Sequence, residues 1–146
     1  MNSELLSSIY NKALDILSRR EHSASELKLK LLKKFEAISE IETVIVRLEK
    51  NNLLNDFRFA ETYIRIRKRK GFGPKKICYE LINKGIKESI SNELISTEGD
   101  WGDVALKAFK KKYKNGISEN IKERLKQKSF LQNRGFSFKE IESVFH

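Results

Sequence analysis

Arg65-Ile66-Arg67-Lys68-Arg69-Lys70-Gly71-Phe72-Gly73-Pro74-Lys75-Lys76-Ile77 reads as the basic end of one helix, a glycine turn and the basic start of the next. Pro74 suits the first position of a helix, where its missing N–H costs nothing and its fixed φ already fits. Gly71 and Gly73 permit the sharp turn before it. Seven of these thirteen residues are Lys or Arg and none is acidic. Two helix ends would therefore turn their positive charge around one corner, a shape suited to meeting something negative.

Charge outside this stretch is distributed in blocks. Residues 1–62 carry ten basic and ten acidic side chains, whereas residues 63–88 carry nine basic and two acidic, a net of +7. Residues 89–106 are −4, residues 107–128 are again +7, and 129–146 are neutral. The overall charge of +10 thus comes from two basic blocks with an acidic one between them. A merely solvated surface would mix the signs throughout, as the first 62 residues do; two segregated blocks fit a polyanion-binding surface better.

Apolar residues recur at helical spacing on either side of the motif. Upstream, Asn55 or Asp56 can cap a helix carrying Phe59, Ala60, Tyr63, Ile64 and Arg67. Downstream, Pro74 opens one with Ile77, Leu81 and Ile82 facing inward, and Gly85 ends it. A short helix with Ile86, Ile90, Leu94 and Ile95 follows, up to the break at Thr97-Glu-Gly-Asp100. The N-terminal part has the same plan. A first helix through Leu5, Leu6, Ile9, Ala13, Ile16 and Leu17 is expected to end near Arg19-Arg20. Ser23 and Glu26 have capping-box spacing ahead of Leu27, Leu31 and Leu32. A third helix runs through Ile38, Ile41, Val44, Ile45 and Leu48 to Asn51-Asn52. A last round opens on Trp101, Val104, Ala105, Ala108 and Phe109. It is expected to continue, after Asn115-Gly116, in a longer helix through Ile117, Ile121, Leu125, Phe130 and Leu131. Ser137 and Glu140 then box the start of a final helix with Ile141, Val144 and Phe145.

These rounds keep a register of 50 residues: Leu31, Leu81 and Leu131; Lys34, Lys84 and Arg134; Val44, Leu94 and Val144; Ile45, Ile95 and Phe145. The expected fold is all-α, three tandem three-helix repeats at residues 1–54, 55–98 and 99–146. Repeats of this kind touch mainly their neighbours, so an elongated, curved molecule is expected, with little room for a deep catalytic pocket.

The remaining composition narrows the function classes. Hydrophobic residues make up 39% and charged residues 34%, with a single Pro, as in solvated helices rather than strands. No run approaches the roughly 18 to 20 apolar residues of a membrane span. No secretion signal opens the sequence, and one cysteine excludes an internal disulfide, so a reducing cytosolic setting is expected. Of the two histidines, His146 is terminal and His22 sits beside a helix start, where a turn residue is a better reading than a base. Cys78 reads as a structural thiol, because no His is near it in sequence. No Cys/His/Asp cluster has metal-ligand spacing, and Gly71-Phe72-Gly73-Pro74 lacks the Gly-Lys-Ser/Thr end of a phosphate loop. The sequence therefore speaks against an enzyme. Among the aromatics, Tyr63 and Phe136 read as core. Phe72, between two glycines, reads as the better candidate for an exposed contact able to stack on a base.

Ala60-x-x-Tyr63-x-x-x-Arg67-x-x-x-Gly71-Phe72-Gly73-Pro74-x-x-Ile77-x-x-Glu80-Leu81-x-x-Lys84-Gly85-Ile86 resembles the signature of the RecX family, regulators of the bacterial RecA recombinase. Arg19-Arg20-Glu21-His22-Ser23-x-x-Glu26-Leu27 resembles the family's opening. Asp100-Trp101, Lys112-Tyr113 and Phe130-Leu131-x-x-Arg134-Gly135-Phe136 resemble its third repeat. Two positions depart from the pattern: Phe35 follows Lys34 where a glycine is common, and Asn55-Asp56 stands where an acidic pair is usual.

The resemblance implies a curved repeat molecule lying in the helical groove of the RecA–DNA filament. Such proteins mainly lower the filament's ATP hydrolysis, strand exchange and co-protease activity, with consequences for DNA recombination, repair and the SOS response. The expected partners are the filament and, more weakly, single- and double-stranded DNA without sequence preference. The chain would act as a cytoplasmic monomer, with no cofactor, metal or membrane. The contact is expected from Arg65, Arg67, Lys68, Arg69, Lys70, Phe72, Lys75, Lys76 and Lys84, extended by Lys107, Lys110, Lys111 and Lys112. Arg67 has an equal claim to a structural role, since it shares a helical stripe with Ala60, Tyr63 and Ile64. Two rival readings remain: a stand-alone DNA-binding module that ignores sequence, and an adaptor whose basic face meets an acidic protein.

Overall fold

A computed structural model describes residues 2–146, and among these it contains nine helices and no strand. Helices α1 (Ser3–Leu17), α2 (Ala24–Lys34) and α3 (Ile38–Lys50) form the first unit. The second comprises α4 (Asp56–Arg69), α5 (Pro74–Asn83) and α6 (Glu88–Glu98), and the third α7 (Trp101–Lys112), α8 (Ile121–Asn133) and α9 (Phe138–Val144). The exposed area is 9392 Å². A compact monomer of 17.1 kDa would expose about 7,750 Å², so the units lie in a row rather than in a ball.

Helix starts follow the local chemistry. Ser23 and Ser137 each complete a capping box with Glu26 and Glu140. Asn55 and Asn120 accept from the backbone of Arg58 and Glu123, and Pro74 stands at the first position of α5 after Gly73. Asp56 is not the cap of α4. Its carboxylate accepts the Ala24 N–H at 2.8 Å and ties the second unit to the first.

Each unit has its own core. Leu31, Leu81 and Leu131, at equivalent places in α2, α5 and α8, are all fully buried. Truncating any one of them to Ala would cost about 2–5 kcal/mol. Ile82, expected to face inward on α5 with Ile77 and Leu81, is exposed instead, and three further sequence expectations need correction. First, α1 stops at Leu17, and Arg19 turns back to Asp15 at 3.3 Å instead of ending the helix. Second, Trp101 opens α7 but packs in the core of the second unit, where its indole N–H donates to the Ile95 carbonyl at 2.9 Å. Third, α8 starts at Ile121 rather than after Gly116, and Ile117, Ile121 and Leu125 stay exposed. The first buried residue of α8 is not apolar but Gln127, in its second turn. Gln127 donates to the Gly116 carbonyl and accepts the Ser118 N–H, tying down the loop before α8.

The joints between units repeat the same register. The Ser23 hydroxyl donates to the Lys84 carbonyl at 2.7 Å. Fifty residues on, the Gly73 N–H donates to the Arg134 carbonyl at 2.7 Å, and the Lys75 N–H to the Gly135 carbonyl at 2.9 Å. In both joints the start of a middle helix docks on the end of the next unit's middle helix. The second joint is so close that only glycine fits. A Cβ on Gly73 would stand 2.5 Å from the Gly135 oxygen and the Phe136 nitrogen, and Gly135 holds a φ of +99°.

Candidate polyanion-binding groove

The last two turns of α4 and the outer face of α7 face each other across the second joint. Between them runs a groove of about 590 Å³. Arg65, Lys68, Arg69 and Lys70 line one side, Lys107, Lys111 and Lys112 the other, and Arg134 closes one end. Glu98 is the one carboxylate in the lining, and Lys68 engages it at 3.3 Å. Val104, Ala108, Phe130 and Gly71 complete the surface between the charged rims. The two basic blocks, separated in sequence by an acidic one, thus converge on a single cavity.

Helix geometry explains the convergence. Arg65 and Arg69 are one turn apart on α4, as are Lys107 and Lys111 on α7, so each pair projects from one face. Arg65, Arg69, Lys107 and Lys111 are exposed, and none of them forms an ion pair or side-chain hydrogen bond among the described residues. The Lys70 ammonium is likewise unpaired there. So many like charges on one concavity focus the field, and the groove holds its strongest attraction for an anion where partners are missing.

Other expected residues have structural duties. Arg67 forms a two-point pair with Glu80, at 3.0 Å through Nε and 2.8 Å through the terminal nitrogen, and lies 3.8 Å from the centre of the Phe72 ring. The structural reading of Arg67 is the one these contacts favour. Tyr63 donates to the same Glu80 at 2.9 Å, and burial together with this carboxylate pushes the phenol up to about 12. Phe72 is not the freely exposed ring expected between two glycines. It is half-buried against the second core, with Arg67 and Arg134 over it, because the turn folds back onto α4 and the third unit. Lys68 is held by Glu98 and lies over Trp101. Lys84 sits at the first joint, paired with Glu26 at 3.4 Å and lying over Tyr63. Lys75, Lys76 and Lys110 lie outside the groove, Lys76 over Phe72.

Arg134 is a groove residue that the charge blocks did not single out. Its guanidinium donates to the Lys70 carbonyl at 3.3 Å and lies over both Phe72 and Phe130. The sequence signal was its register with Lys84, which docks at the other joint.

The groups that could suggest catalysis are held in place elsewhere. His22 is buried, with Nδ1 3.0 Å from the Arg20 carbonyl and Nε2 2.7 Å from the Lys30 ammonium. Burial, with the charges of Arg20 and Lys30, keeps its pKa below the usual histidine value and the ring neutral. Burial pushes the Cys78 thiol up, away from the nucleophilic thiolate. Among the described residues no cluster of His, Cys, Asp or Glu could hold a metal ion. No described helix is long and apolar enough to cross a membrane.

The three units match three family models in order: the first three-helix domain of RecX at residues 10–48, the second at 55–95 and the third at 102–145. The regulatory protein RecX of Legionella pneumophila is 38% identical over 137 residues, covering 93% of this chain and 91% of that protein. The regulatory protein RecX of Vibrio parahaemolyticus is 38% identical over 130 residues, covering 88% and 84%. The crystal structure of RecX from Lactobacillus salivarius superposes with a TM-score of 0.83 at 24% identity, covering 99% and 96% of the two chains. Three domain models in sequence order, relatives matched over most of their length and a shared fold agree: this chain belongs to the RecX family.

Proposed function

We propose that this protein is a mainly negative modulator of the RecA recombinase. It lies along the groove of the RecA–DNA filament and lowers ATP hydrolysis, strand exchange and co-protease activity. The observation that carries the proposal is the cationic groove between α4 and α7, built from both basic blocks, in which Glu98 engages Lys68 while Arg65, Arg69, Lys70, Lys107 and Lys111 have no acidic partner among the described residues. A filament groove offers acidic protein surface and DNA phosphate together. Contacts spread along an elongated molecule would let individually weak charge pairs add up. Bare DNA would bind more weakly, without sequence preference, through the same cations.

The test is DNA-dependent ATP hydrolysis by RecA of the same organism, titrated with this protein at fixed moderate salt. The proposal predicts a fall at a protein-to-RecA ratio well below one, because one bound molecule would silence several subunits. An unchanged rate, with tight and steeply salt-dependent binding to bare DNA, would instead establish the stand-alone DNA-binding module.

A further inference from the structure

The rims and the floor of the groove call for different chemistry. The rims are cationic, and the surface between them is formed by Val104, Ala108, Gly71 and Phe130. A nucleic-acid strand could satisfy the rims with phosphates, but its bases would need an open aromatic face to stack on. Neither ring beside the groove has one to spare. Phe72 has Arg67 at 3.8 Å and Arg134 at 4.7 Å over it. Phe130 has Arg134 at 5.0 Å and Lys112 at 5.5 Å over it, and packs perpendicular to Tyr113 with the ring centres 5.6 Å apart. A duplex is too thick to enter a cavity of about 590 Å³ and could reach only its rims, leaving the floor wet.

An apolar floor under cationic rims fits a peptide that carries carboxylates on both flanks of an apolar side chain. Such a segment buries the floor and neutralises the rims in one act. We propose that the groove between α4 and α7 docks an acidic protein segment, its carboxylates on Arg65, Arg69, Lys107 and Lys111 and its apolar anchor on Val104 and Ala108. The inference rests on this groove being the contact surface of the proposed regulator, and it assigns the groove to protein rather than to DNA.

The test needs no RecA, so its failure is separate from failure of the ATP-hydrolysis titration. Fluorescein-labelled probes are bound to the protein of residues 1–146 in one buffer: a synthetic helix-forming peptide of Glu with Leu at helical spacing, the same peptide with each Leu replaced by Ser, and an oligo-dT of equal charge. The expected result is that the Leu peptide binds about tenfold tighter than the Ser peptide, as one buried aliphatic side chain provides. Ala108→Leu, which fills the floor without changing charge, should weaken the Leu peptide about tenfold and leave oligo-dT unchanged. Lys107→Glu with Lys111→Glu should weaken all three probes. The proposal is overturned if the two peptides bind equally, or if oligo-dT binds tighter than the Leu peptide and displaces it. Should Ala108→Leu fail to fold, the Leu and Ser peptides on the native chain decide the matter alone.

Discussion

The first and second joints are built on one backbone plan and differ in what fills them. At the first, Glu21 and Arg58 form an ion pair at 2.6 Å, Glu26 takes Arg20 and Lys84, and Asp56 takes the Ala24 N–H. Glu26 shows how well that joint is balanced. Burial alone would raise its pKa, yet the Arg20 and Ser23 hydrogen bonds and the Arg20 and Lys84 charges together hold it below the ordinary carboxylate value. At the second joint, Gly71 and Ala108 stand fifty residues on from Glu21 and Arg58, close enough that a Cβ on Gly71 would lie 3.5 Å from that of Ala108. Two small residues replace a long ion pair, and the space they leave is part of the basic groove. The repeat thus copied its docking geometry without copying its charge balance. One joint is closed by its own ion pairs, while the other is held by backbone hydrogen bonds and the Arg134 side chain and leaves Arg65, Arg69, Lys70, Lys107 and Lys111 for a partner.

The largest effect should come from breaking the tighter joint. Ala at Gly135 would force a side chain into the left-handed region and drive its Cβ into Lys76, 2.6 Å from that residue's nitrogen. Gly135→Ala should lose about 3 kcal/mol or more of stability in urea denaturation. Gly85→Ala, where the obstacle is the side chain of exposed Ser25, should lose less. Equal losses would mean that the joints are equally tight.

Next in size is Arg67→Ala, which removes a half-buried two-point pair with Glu80 and a cation over Phe72. A loss of about 2 kcal/mol is expected by thermal denaturation, against a change within about 0.5 kcal/mol for Arg65→Ala. Similar losses for the two would contradict the division between structural and free cations. Smaller still, Glu21→Gln with Arg58→Met should cost about 1 kcal/mol or less, since the pair is a third exposed on both sides. That double variant should leave filament binding at the wild-type level.

The smallest effect is on pH dependence. Folding holds the pKa of His22 below the ordinary value near 6.5 that it has when unfolded. Its contribution to stability is therefore complete above pH 6.5 and is lost as the pH falls from there through the lower folded value. Melting temperatures measured from pH 7.5 down to 5.5 should fall more steeply for the wild type than for His22→Asn. Parallel slopes would remove His22 from the account.

The elements themselves were legible because their signals are local. Ser23, Ser137 and Pro74 announce helix starts by chemistry that acts within three residues, and Leu31, Leu81 and Leu131 mark three cores by spacing alone. What escaped the sequence depends on which faces meet. Nothing local says that Trp101 leaves its own unit for its neighbour's core, or that Ile121 and Leu125 have no helix to pack against. The pattern of apolar residues is the same whether a stripe is covered or bare. Phe72 looked exposed because glycines flank it, yet the same glycines let the turn fold back and bring Arg67 and Arg134 over the ring. The basic blocks were visible as charge, but their meeting in one groove follows from the second joint, which sets α7 beside α4. Arg134 was visible only as the register partner of Lys84.

The measurement that tests the account most directly sets the two joints against each other in one assay. ATP hydrolysis by RecA on DNA is titrated with the wild type, with Lys107→Glu/Lys111→Glu in the groove, and with Glu21→Gln/Arg58→Met at the first joint, each checked for wild-type helicity. The account predicts that the groove variant needs at least about tenfold more protein for the same inhibition, while the first-joint variant matches the wild type. Equal inhibition by both variants would contradict it, because the groove would then be no more than another joint.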